Sequence, residues 1–127
     1  MNETVQSWLE RSSYDLDTAK AMLKTGRYFY VLFCCQQALE KALKAVMVQR
    51  TDTMPPRIHN LLSLAERAGI ELTAEQRGLF GELSAYYIQS RYPEEIKGLG
   101  LKLTRKMASN ILIKTGETTQ WLFSMIK

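Results

Sequence analysis

The sequence has few residues that interrupt helices and few that build metal centres or disulfides. Three prolines and seven glycines are spread over 127 residues, so long uninterrupted helices are allowed. A single histidine excludes a multi-histidine metal site. Cys34 and Cys35 are adjacent, and neighbouring helical positions point about 100° apart, so they do not bridge each other. We interpret both as small core or interface residues in a reducing cytosol, and we expect no metal and no cofactor.

Long apolar runs and nucleotide-binding signatures are also missing. No run approaches the ~18 apolar residues that a membrane span requires, and the polar start of the chain does not resemble a signal peptide. We therefore expect a cytoplasmic protein that does not enter a membrane. No Gly-rich phosphate loop, G-x-S-x-G motif or DNA-binding helix-turn-helix is present. Apolar residues make up 46% and charged residues 24%, which is typical of a globular domain. The net charge of +4 permits a nucleic-acid partner without requiring one.

Apolar residues recur at three- and four-residue spacing along most of the chain, which indicates helices rather than strands. The pattern predicts five helices, over residues 3–24, 28–50, 57–68, 73 to 90 or 91, and 103–126. Gly26 and Gly69 end the first and the third, the T-A-E-Q sequence at Thr73 forms a capping box, and Pro93 ends the fourth. Because short loops join long helices, we predict an all-α, up-and-down four-helix bundle with an additional short helix, formed by residues 1–127 as one domain.

Three polar residues follow the edge of the apolar stripe on the second predicted helix. Gln36 falls about 40° from the centre of the buried face on a helical wheel, and Glu40 about 80°. Lys44 continues the line at the same four-residue spacing. One interpretation is a solvated edge with a weak Glu–Lys pair, and the other is a polar notch inside the bundle. His59 lies at the start of the third predicted helix, and we interpret it as a capping or packing residue.

Arg91 follows Phe80 and Tyr87 at helical spacing along the fourth predicted helix. A guanidinium on that inward face requires an anionic partner, because an unpaired buried charge is costly. Glu40 is one candidate partner, and a ligand phosphate is the other. We hypothesise that Arg91 and Glu40 face each other across a polar notch, with Tyr87 and Tyr92 as its walls. The alternative is that Arg91 only caps the end of its helix.

Several segments, taken in order along the chain, resemble the HEPN (higher eukaryotes and prokaryotes nucleotide-binding) domain family. They are W-L-x-x-S-x-x-D-L-x-x-A (8–19), G-x-Y (26–28), Q-Q-A-L-E-K-A-L-K-A (36–45), H-x-L (59–61) and Y-Y-I-Q-S-R-Y-P (86–93). The resemblance implies a bundle of four or five helices that often forms dimers. It also implies a minimal nucleotidyltransferase as partner, in several cases as a toxin–antitoxin pair. Active members are metal-independent ribonucleases with an R-x4-6-H motif.

This sequence departs from that motif after its arginine. Arg91 matches the arginine, but Ile96, Lys97 and Gly98 occupy the positions where the histidine belongs. We therefore expect a homodimeric binding subunit that pairs with a minimal nucleotidyltransferase. The resemblance implies that nucleotide or RNA phosphate binds near Arg91, and Lys97 could neutralise it. The site we expect comprises Arg91, Glu40, Gln36, Lys44, Tyr87, Tyr92 and Lys97. Two alternatives stay open, a metal-independent RNA endonuclease with a non-standard active site and a purely structural bundle.

Overall fold

The computed structural model describes residues 3–89 and 103–127, with side chains described for 3–86 and 103–127. Helices and no strands are found in these ranges, which confirms the expected all-α fold. The helices are α1 (Glu3–Lys24), α2 (Tyr28–Thr51), α3 (Leu61–Arg67), α4 (Ala74–Gln89) and α5 (Arg105–Phe123). None of the helices in the described ranges is long and apolar enough to cross a membrane.

The four long helices form an up-and-down bundle in which the direction of α1 relative to its neighbours follows from specific contacts. Against α2, the Ser12 hydroxyl donates to the Ala38 carbonyl at 2.7 Å. Val5, nearer the start of α1, packs with Ala45 and Val48, nearer the end of α2, so these two helices are antiparallel. Against α5, the Arg105 guanidinium donates to the Leu23 carbonyl at 3.3 Å, whereas Val5 packs with Ile126 at the opposite end. The start of α5 thus meets the end of α1, so these two helices are antiparallel.

Helix α2 lies at the centre of the bundle because apolar residues cover most of its circumference. It has no glycine or proline and contains a long run of strong helix formers. The whole predicted stripe is buried: Leu32, Cys35, Leu39, Ala42, Leu43 and Val46. Full burial of a leucine side chain contributes about 2 kcal/mol through the hydrophobic effect. The helix ends at Thr51, and its C-cap residue Asp52 adopts a left-handed conformation with φ 53° and donates its N–H to the Val48 carbonyl.

Three predicted helix signals are confirmed. Gly69 has φ +71° and follows the C-cap residue of α3. Gly26 has φ +75°, a conformation that L-residues with a side chain rarely adopt, and it ends α1 as expected. The capping box at the start of α4 is complete, since the Thr73 hydroxyl accepts from the Gln76 N–H at 3.1 Å. In return, the Thr73 N–H donates to the Gln76 side-chain oxygen at 2.9 Å.

The ends of the third and fifth predicted helices were wrong by up to four residues. Helix α3 begins at Leu61 rather than at position 57, because Asn60 is its N-cap and accepts from the Ser63 N–H at 3.0 Å. Helix α5 begins at Arg105, since Thr104 caps it by accepting from the Met107 N–H. It ends at Phe123. Residues 93–100, which separate the fourth and fifth predicted helices, lie outside the described residues.

Candidate functional site

Helix α2 carries a line of polar residues into the bundle interior. Gln36, Glu40 and Lys44 are four residues apart, so they lie on one side of the helix. Their exposed fractions are only 0%, 4% and 6%. This burial contradicts the interpretation of the line as a solvated edge, and a partner is required for each polar atom.

The Glu40 carboxylate is the centre of this interior group. One oxygen, Oε2, accepts from the Lys44 ammonium at 3.0 Å. The other, Oε1, accepts from the Gln36 amide at 3.2 Å and lies 2.9 Å from His59 Nδ1. Because an ionised carboxylate only accepts, Nδ1 carries the hydrogen of this contact. Gln36, Glu40, Lys44 and His59 together are called the Glu40 cluster below.

Gln36 connects the cluster to the segment that precedes α3. Its amide nitrogen donates to the His59 backbone carbonyl at 3.0 Å, in addition to its bond with Glu40. Its oxygen accepts from the Gln37 amide at 2.8 Å. Both the backbone and the ring of His59 are therefore held by side chains of α2. The imidazole itself is 44% exposed, so the cluster reaches the surface at this residue.

Helices α1 and α4 complete the surroundings of the cluster. The Lys44 ammonium lies 5.6 Å from the centre of the Trp8 ring, and the Arg11 guanidinium lies 5.7 Å from it. Both distances are within the range of cation–π attraction. On the other side, the Ser84 hydroxyl of α4 accepts from the Leu61 N–H at 3.3 Å. This bond fixes the start of α3 against α4, next to His59.

Sequence reasoning did not connect His59 with Glu40. The histidine is 19 residues from Glu40 along the chain, a separation that no helical period predicts. One signal was present: a carboxylate on a buried face requires more than one donor, and the only histidine stands at the start of the next helix.

The side chains of the remaining predicted site residues lie outside the part of the chain that the structure describes. Tyr87 belongs to α4, but its side chain lies outside the described residues, as do Arg91, Tyr92 and Lys97 altogether. The expected approach of Arg91 to Glu40 therefore stays a prediction.

The candidate metal ligands and the two cysteines are among the groups that a reaction could use. No group of three or more His, Cys, Asp or Glu residues there could hold a metal ion. Cys34 and Cys35 are both free thiols. Burial raises the pKa of Cys35 to about 12, and burial also raises the pKa of Cys34. Because the thiolate is the reactive form, neither cysteine is activated as a nucleophile.

Comparisons with known proteins extend over nearly the whole chain. The family model described as HEPN domain matches residues 5–125. The crystal structure of TT1696 from Thermus thermophilus is similar, with a TM-score of 0.83 and 25% sequence identity. The similarity covers 99% of this chain and 100% of that one. No curated protein matches the sequence.

Proposed function

Because the chain belongs to the HEPN domain family, we propose that it is a binding subunit for nucleotide or RNA phosphate. The phosphate binds near Arg91, in a notch whose floor is the Glu40 cluster. In this proposal, two copies form a homodimer that pairs with a minimal nucleotidyltransferase, as in a toxin–antitoxin system. Tyr87, Tyr92 and Lys97 belong to the same notch.

The burial of Gln36, Glu40 and Lys44 is the observation that carries this proposal. A buried ion pair is seldom more stabilising than packed apolar side chains of the same volume. A helical bundle needs no such group to fold, so a charged cluster at its centre favours a role in binding. Lys44 already neutralises the Glu40 carboxylate at 3.0 Å. The Arg91 guanidinium would therefore require a different anion. A ligand phosphate suits it, because arginine binds phosphate in a bidentate geometry.

Replacement of Arg91 tests the phosphate site. We expect ATP and a short single-stranded RNA to bind the wild-type protein, and Arg91→Ala to raise Kd by about 10- to 100-fold. That loss corresponds to a charge-assisted hydrogen bond worth about 1.5–3 kcal/mol. Isothermal titration calorimetry measures both values. Arg77→Ala is the matched control, since Arg77 is an exposed arginine near the start of α4. Equal Kd values for wild type and Arg91→Ala would contradict the phosphate site.

The assembly is tested separately. Sedimentation equilibrium should show a dimer, and the product of an adjacent nucleotidyltransferase gene should co-purify with the chain. A monomer at all concentrations would remove the homodimer from the proposal. A loss of unfolding free energy in Arg91→Ala, with ligand and partner binding unchanged, would favour the purely structural bundle instead.

A second candidate function is a metal-independent RNA endonuclease, and the contact between His59 and Glu40 favours it. Residues 96–98 contain no histidine, but His59 has its Nδ1 held by a buried carboxylate and is 44% exposed. A carboxylate at Nδ1 fixes the orientation of an imidazole that transfers protons. The imidazole would accept the proton of a 2′-hydroxyl while that oxygen attacks the adjacent phosphorus. The bond to the 5′-oxygen breaks, and water protonates the leaving oxygen.

Cleavage of RNA in the presence of a chelator tests this candidate. If the endonuclease is correct, His59→Ala lowers the rate by about 100-fold or more, as loss of a general base does. Expression of the wild type alone should arrest growth, and both His59→Ala and Arg91→Ala should relieve the arrest. An unchanged rate in His59→Ala would assign the cleavage to a contaminant and leave the binding subunit as the function.

A further inference from the structure

A shallow groove of about 460 Å³ runs along the outer side of α1, next to the end of α5. Leu9 and Phe123 contribute half-buried apolar surface to it. The Tyr14 ring also lines it and is 74% exposed, which is unusual for a large aromatic side chain. This surface is called the α1–α5 groove, and it uses no residue of the Glu40 cluster.

The charge of the α1–α5 groove is opposite to that of the chain as a whole. Glu10 and Asp17 line it, whereas no lysine or arginine among the described residues does, although the net charge of the chain is +4. Asp17 lies 3.9 Å from the Lys20 ammonium, and both side chains are mostly exposed. Such a pair contributes little stability, so an incoming cation can replace Lys20. Glu10 accepts one bond, at 3.2 Å, from the neutral Gln6 amide.

The groove has the length of a short helix. Its α1 residues run from Gln6 to Asp17 at helical spacing, a distance of about 16 Å along the axis. That length matches about three turns of a second helix lying alongside. Recognition of an amphipathic helix in a groove uses apolar residues at three- and four-residue spacing, with charged residues at the rim.

We propose that the α1–α5 groove binds a basic amphipathic helix of another protein. The apolar side of that helix covers Leu9, Tyr14 and Phe123, and its lysine or arginine side chains reach Glu10 and Asp17. Tyrosine is among the residues that most often dominate binding energy at interfaces. A second copy of this chain fits less well. A two-fold dimer through the groove would place the same patch on both sides, with Glu10 and Asp17 close to their own counterparts.

Charge reversal gives the sharpest test. Two peptides of about 16 residues, long enough to cover three turns, would carry the same leucine face and either lysines or glutamates elsewhere. Surface plasmon resonance should show binding of the lysine peptide only, with affinity that falls as salt is raised. The double variant Glu10→Lys/Asp17→Lys should bind the glutamate peptide instead. Tyr14→Ala should weaken binding by about tenfold or more.

A double variant outside the groove is the matched control. Glu75→Lys/Glu117→Lys makes the same change of charge at two exposed carboxylates of α4 and α5, and it should leave the peptide preference unchanged. Equal binding of both peptides, or a preference that the groove variant does not reverse, overturns the proposal. A dimer of the free chain that Tyr14→Ala dissociates also overturns it, since the occupant would then be a second copy.

Discussion

At Glu40, a lysine, a glutamine amide and an imidazole converge on one carboxylate inside a helical core. Each oxygen has at least one donor, so the charge is compensated although the side chain is almost fully buried. The same arrangement explains why Gln36, with no exposed surface at all, is compatible with the core. A buried amide is tolerated when its nitrogen and oxygen are both bonded, as they are here.

Cys35 is also buried, but unlike Glu40 it carries no charge in the folded chain, because burial favours the protonated thiol. Its pKa is raised to about 12 by burial, from an ordinary value of 9.0. Above pH 9 the unfolded chain loses this proton while the folded chain keeps it. The free energy of unfolding should therefore fall by about 1.4 kcal/mol for each pH unit between 9 and 12.

Urea denaturation of Cys35→Ala at several pH values measures that contribution. The variant should lose less stability than the wild type as the pH rises from 9 to 12, because the titrating thiol is gone. Cys34→Ala is the comparison at a half-buried neighbour, and it should reduce the pH dependence less. Identical slopes for Cys35→Ala and wild type would mean that the thiol titrates alike in the folded and unfolded chains.

At the scale of the helices, the sequence predicts well what local chemistry determines. The predicted bounds of the first helix match α1, because an amphipathic run is followed by Gly26 in the left-handed conformation that glycine favours. The start of α3 was predicted too early, since Ile58 extends the apolar spacing of the helix beyond Asn60, which is the actual N-cap. The spacing of apolar residues predicts that a helix is present. Its first residue depends on which side chain accepts hydrogen bonds from the free N–H groups of the first turn.

The candidate site was predictable to the extent that it lies on one helix. Gln36, Glu40 and Lys44 form a line because a helix repeats every 3.6 residues, and the sequence contains that information. The position of His59 depends on how α3 packs against α2 and α4, which is tertiary structure. The bond between Ser84 and the Leu61 N–H belongs to that packing and has no signature in the spacing of residues.

At the scale of the whole molecule, we expect the buried ion pair of Glu40 and Lys44 to make the core less stable than apolar side chains would. Glu40→Ala should lower the free energy of unfolding by about 3–5 kcal/mol, because the buried Lys44 ammonium loses its carboxylate. Replacement of both charges, in Glu40→Leu/Lys44→Leu, should restore wild-type stability or exceed it by about 1–4 kcal/mol. Urea denaturation followed by circular dichroism measures both.

Lys20→Ala serves as the control for that comparison, since it removes an exposed ion pair with Asp17. It should change stability by about 0.5 kcal/mol or less. If the double variant were as unstable as Glu40→Ala, the cluster would be required for folding and not only for a site. The expected order is that Glu40→Ala is the least stable of these variants and that the double variant is at least as stable as the wild type.

The position of Trp8 makes the buried charge of Lys44 visible to optical spectroscopy. Its indole is flanked by the Lys44 ammonium and the Arg11 guanidinium at 5.6 and 5.7 Å. Indole emission shifts in wavelength when a nearby charge moves. After Trp121→Phe removes the other tryptophan, the emission of Trp8 becomes an intrinsic, label-free reporter of whatever rearranges Lys44.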